Sequence, residues 1–126
     1  TGRFAMDRYT AASWAPLYAI DAGDWSPDLH GLCDRAQLPD LLWSAEIAGH
    51  VTPLAAEATG LAPGTPVATG TIDAAAEAVS VGVRAPGDMM LMYGSTVFVI
   101  QIAASRPQDP RLWTAPWLHP GAHAAM

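Results

Sequence analysis

Two apolar runs near the end of the chain, MMLMY at 89–93 and VFVIQIA at 97–103, flank the polar turn Gly94-Ser95-Thr96. Both read as strands joined by a tight connection. The second carries Val97 and Val99 on one side and Phe98, Ile100 and Ile102 on the other, a pattern that predicts a central strand covered on both faces. Upstream, residues 67–69 predict a buried strand. Gly70, Thr71 and Ile72 then hand over to an Ala-rich helix over 73–81, stopped near Gly82. Ala74, Ala75, Ala76 and Ala78 leave that helix thin and open to close backbone approach.

Earlier segments carry turn and cap signals. Thr52-Pro53 starts a helix over 52–59, with Gly60 placed as its left-handed stop. Ser26-Pro27-Asp28 is a helix-start signature, and Leu29, Leu32, Cys33 and Ala36 follow at i, i+3, i+4 and i+7. This spacing predicts a helix over 26–36 with Cys33 as a small buried apolar residue. Residues 17–20 predict a brief strand before a turn, 46–51 a further strand, and 112–118 an edge strand limited by Pro116. Residues 11–15 predict one or two helical turns ended by Pro16, and 1–10 an irregular polar segment. Together these elements define an α/β chain.

Composition narrows the classes. The 126 residues are 51% hydrophobic and 14% charged, enough for a globular core. Net charge is −6 and every basic residue is an isolated Arg, which disfavours nucleic acid and anionic membrane surfaces. The single Cys33 excludes an internal disulfide and suits a reducing, cytoplasmic setting. No apolar run approaches the length a bilayer needs, and the four His have no ligand spacing that predicts a metal site. The five Trp read as core or edge packing.

Two polar marks could carry chemistry. Asp73 follows a strand and opens a helix, the crevice where α/β folds bind ligands. Helix capping alone would also explain an acid there. The two roles are compatible: a helix N-terminus favours negative charge, and a general base accepts a proton only when ionised. Gly94, Ser95 and Thr96 form a donor-rich turn that could hold an anion, or an ordinary hairpin turn. Asp7, in an Ala-Ser segment, could approach a substrate or simply occupy a turn.

The order of Gly64-Thr65-Pro66-Val67, Gly70-Thr71-Ile72-Asp73 and Tyr93-Gly94-Ser95-Thr96-Val97-Phe98 resembles the FGGY family of carbohydrate kinases, in its xylulokinase-like branch. The resemblance extends upstream through Asp7, Ala12-Ser13, Leu17-Tyr18 and Asp24-Trp25. It implies a partial actin-like ATPase (ribonuclease H-like) fold. Residues 1–87 would be the last part of the first kinase domain and 88–126 the opening strands of the second. It also implies ATP and Mg2+, a small-molecule sugar as partner, and a parent protein that could form a homodimer. Asp73 would be the general base, Gly94, Ser95 and Thr96 would meet the ATP phosphates, and Asp73 with Ala74 would face the sugar. The chain departs from the family at two points. It has Gly-Ser-Thr where Gly-Thr-Ser is usual, and Ala74 where many members place Asn or Gln.

The family's opening Asp-x-Gly-Thr hairpin and later adenosine-binding Gly motif do not occur here. The resemblance therefore implies a segment of a pentulose kinase, inactive alone, with apolar surface that the rest of the parent would cover. Alternatives are a family kinase for ribulose, glycerol or gluconate, and a non-catalytic actin-like nucleotide-binding module. An acid at position 73 favours the kinases, because a nucleotide clamp needs no proton acceptor there.

Overall fold

The computed structural model describes residues 1–126. In chain order the elements are β1 (Ala5–Asp7), α1 (Arg8–Ala11), β2 (Tyr18–Ala19), β3 (Asp24–Trp25), β4 (Asp40–Leu42), β5 (Ile47–His50), α2 (Pro53–Thr59), β6 (Pro66–Ala68), α3 (Asp73–Ser80), β7 (Met89–Tyr93), β8 (Val97–Ala103), β9 (Thr114–Pro116) and β10 (His123–Ala125). β1 and β4 pair in parallel, while β2–β3 and β5–β6 are antiparallel pairs. The remaining strands form one antiparallel sheet in the order β7-β8-β10-β9.

Local chemistry explains the helices that form. Thr52 caps α2 by accepting from the Ala55 backbone N–H at 3.2 Å, Pro53 opens the helix, and Gly60 closes it at φ 76°. α3 buries Ala75 and Ala78 completely, so its backbone lies close against the core, as its small residues predict. α1 runs on into a single 3-10 turn at Ala12–Trp14, so the one or two helical turns expected over 11–15 are present but start three residues earlier.

Residues 26–36 are not a helix. The Asp28 carboxylate accepts from the His30 backbone N–H at 2.8 Å, and His30 and Gly31 take φ values of 53° and 66°. A side chain that folds back on its own backbone competes with helix formation, and two left-handed residues end any helical run. Only Arg35–Gln37 forms a 3-10 turn, closed by reciprocal bonds between Asp34 and Gln37. Leu29 and Cys33 are half-buried against the core while Leu32 and Ala36 are exposed, so only half of the expected stripe turns inward and Cys33 is not the buried residue the spacing predicts. The irregular segment expected at 1–10 instead contains β1 and α1, because β1 finds its partner β4 some thirty-five residues away.

Two strand expectations also change. β8 is central, between β7 and β10, but only one of its faces is covered. Ile100 and Ile102 are buried, while Val97 and Val99 share an open face with Met89, Leu91 and Tyr93 of β7. β6 is not buried: it belongs to a two-stranded ribbon with β5, Pro66 and Ala68 are exposed and Val67 is half-buried. β9 lies at the sheet edge with Pro116 as its last residue, as expected for a strand containing proline.

One core joins these pieces. Tyr9, Ala11 and Ala12 from the α1 region, Trp25, Ala75 and Ala78 of α3, and Ile100, Ile102, Trp117 and Ala124 belong to a single buried cluster. Trp117 meets Tyr9 edge-on at 5.7 Å between ring centres. No helix is long and apolar enough to cross a membrane.

Candidate active site

The site grows from the end of β1. Asp7 is the N-cap of α1, and its Oδ2 accepts from the Thr10 backbone N–H at 3.4 Å. It is only 3% exposed, and a buried carboxylate needs donors to offset its lost hydration. Two hydroxyls supply them. Ser44 Oγ donates to the same Oδ2 at 3.2 Å and Thr71 Oγ1 at 3.0 Å.

Thr71 belongs to the turn between β6 and α3. Gly70 enters it at φ 76°, a left-handed conformation that favours glycine. Backbone bonds from Thr69 N to Glu46 O at 2.9 Å and from Gly70 N to Ser44 O at 3.0 Å tie the turn to the segment after β4. A cavity of about 300 Å3 runs between this turn and the end of β1, lined by Met6, Asp7, Thr10 and Thr71 among others.

Asp73 is exposed at the first residue of α3. The N-cap is Ile72, which makes no side-chain cap bond, so Asp73 does not cap the helix. Its Oδ1 accepts only from the adjacent Ala74 backbone N–H, at 2.8 Å. Ala74 itself is half-buried and packs against the core. Tyr9 lies near both acids. Burial first, and then the charges of Asp7 and Asp73, push its hydroxyl up to about 12. Tyr9 Oη donates to Met126 Sδ at 3.2 Å.

Gly94, Ser95 and Thr96 form the exposed tip of the β7–β8 hairpin. The Gly94 N–H is used within the turn, donating to Thr96 O at 3.0 Å, and the Ser95 and Thr96 hydroxyls bond to nothing in the chain. No hydrogen bond or cavity joins this tip to Asp73. Asp7, Ser44, Thr71 and Asp73 are thus brought together around one turn, and the hairpin tip stands apart. Sequence reading singled out Asp7 but missed its clamp on Ser44 and Thr71. The one local signal is an acid three residues before Thr10 at a helix start.

The structure is thus a mixed α/β chain with an exposed acid at a strand–turn–helix junction. Residues 1–80 match the model of the FGGY family of carbohydrate kinases, N-terminal domain. The chain belongs to the FGGY family of carbohydrate kinases. It is 42% identical over 77 residues to a probable L-xylulose kinase of Pasteurella multocida (strain Pm70), covering 58% of this chain and 16% of that protein. It is 39% identical over 98 residues to xylulose kinase of Escherichia coli (strain K12), covering 76% of this chain and 20% of that protein. The crystal structure of xylulose kinase from Rhodospirillum rubrum superposes with a TM-score of 0.89 at 32% identity, over 99% of this chain and 26% of that one. The chain therefore spans about a sixth to a quarter of the length of these relatives.

Proposed function

We propose that the full-length protein carrying this chain is an ATP-dependent kinase of a pentulose, xylulose first, and acts in the cytoplasm. The carrying observation is the exposed Asp73 carboxylate at the first residue of α3, beside the clamped turn, in an FGGY-family chain. In this reading Asp73 hydrogen-bonds the sugar's terminal hydroxyl, aims its oxygen at the γ-phosphorus, and takes its proton as the bond to the departing ADP breaks. Phosphoryl transfer has a loose transition state, so positioning and charge compensation matter more than base strength.

The nucleotide is the second substrate. The Ser95 and Thr96 hydroxyls, free of partners in the chain, suit phosphate contacts. No group of three His, Cys, Asp or Glu side chains is placed to hold a metal. Magnesium at nucleotide sites is held mainly by phosphates and water with one or two carboxylates, so the ion would arrive with ATP. Ala74, packed on the core, offers the sugar no hydrogen bond and leaves specificity to other groups. We place the boundary between the two kinase domains near Gly87. The open apolar face of β7 and β8 suits a chain of which the rest of the parent lies elsewhere in sequence.

ADP release by the full-length protein with ATP and xylulose, ribulose, glycerol or gluconate tests this. The highest kcat/KM is expected with xylulose, and no turnover with the 126-residue chain alone. Absence of ADP release with every sugar would instead assign the parent to the non-catalytic nucleotide-binding modules.

A further inference from the structure

We propose that Asp7 and Thr71 are positioning residues for Asp73, acting through the turn that carries it; this rests on the reading of Asp73 as the base. The argument begins with what does not hold Asp73. Ile72, the N-cap of α3, makes no side-chain cap bond, and the Asp73 side chain has no partner beyond the neighbouring Ala74 N–H. The helix holds the Asp73 backbone from one side, with Ala76 N–H on Ile72 O at 3.1 Å, and residues 69–71 hold it from the other.

Those residues are held on two sides. The backbone bonds from Thr69 and Gly70 reach Glu46 and Ser44. The Thr71 side chain reaches Asp7, 64 positions away in sequence, and Ser44 Oγ reaches the same carboxylate oxygen from 37 positions away. Ser44 thus serves both sides, its carbonyl taking Gly70 N–H and its hydroxyl meeting Asp7. Capping α1 requires only the Thr10 contact, at 3.4 Å the longest of the three on Oδ2. A bond to a charged acceptor is roughly twice as strong as a neutral one. The Asp7–Thr71 bond at 3.0 Å is therefore well suited to fix the turn. Asp73 follows two residues later, close enough that its charge and that of Asp7 act on the same Tyr9 hydroxyl.

The test uses the full-length protein with xylulose and ATP and compares Thr71→Val, Thr71→Ser, Asp73→Asn and the Thr71→Val/Asp73→Asn pair. Thr71→Val keeps the shape and removes the hydroxyl. Misplacement of a reacting group by about 1 Å costs on the order of 100-fold. A fall in kcat of about 10- to 100-fold is therefore expected for Thr71→Val, with KM for ATP unchanged. Thr71→Ser, which retains the donor, should restore kcat. Because the clamp acts through Asp73, adding Thr71→Val to Asp73→Asn should cost nothing further. If Thr71→Val does not fold, Thr71→Ala is read in the same way.

Wild-type kcat in Thr71→Val alongside an inactive Asp73→Asn overturns the clamp and leaves the base in place. Independent, multiplying losses in the pair also overturn it. Wild-type turnover in Asp73→Asn removes the reading on which the clamp rests.

Discussion

Asp73→Asn in the full-length protein is expected to lower turnover by about 100- to 10,000-fold, the usual worth of a general base. Its other effects should be small. The residue is exposed, and its one hydrogen bond, from the Ala74 N–H, is to an oxygen that Asn retains. Losing a negative charge in the first turn of α3 costs about 0.3–1 kcal/mol. Because the cap position is Ile72, no capping bond is lost. KM for ATP should stay near wild type while kcat and kcat/KM for the sugar fall together, the signature of an interaction made in the transition state. If both turnover and melting temperature survive, Asp73 is only a first-turn acid on α3. Steady-state kinetics with a thermal melt on this one variant separate the outcomes.

The largest stability effect is expected at Trp117. Its side chain is 1% exposed and packs edge-on against Tyr9, which is itself fully buried in the α1 segment. Trp117→Ala removes this contact and leaves a cavity between the α1 region and the sheet end at β9. Truncations of buried Phe or Trp to Ala cost about 3–5 kcal/mol. Urea unfolding of the 126-residue chain, followed by far-UV circular dichroism, should show a midpoint shifted by that much stability or a chain already unfolded in water. An unchanged midpoint would show that Trp117 does not join the α1 region to the sheet.

How much of this was legible in the sequence depends on range. β7 and β8 coincide with their apolar runs because the polar break at 94–96 marks the turn and the alternate positions Met90, Ile100 and Ile102 supply the buried face. α2 was marked at both ends by Thr52-Pro53 and Gly60, whose signals act within one turn. α3 was marked by the change from Thr and Ile to a run of Ala. Residues 26–36 failed because turn chemistry at Asp28, His30 and Gly31 outweighed the apolar spacing, of which only Leu29 and Cys33 turn partly inward while Leu32 and Ala36 stay exposed. β1 was illegible because its stability comes from β4, and a parallel partner leaves no local mark. The site divides in the same way. Asp73 stood out through its neighbours Gly70, Thr71 and Ile72. The clamp on Asp7 depends on Ser44 and Thr71, whose approach exists only after folding.

The central claim is that Asp73 faces the hydroxyl to be phosphorylated. A crystal structure of the full-length protein with ADP and xylulose tests it most directly. The expected result is an Asp73 carboxylate oxygen within about 2.6–3.2 Å of that hydroxyl, the reach a general base requires. A complex in which Asp73 points to solvent and a different acid contacts the hydroxyl would contradict it.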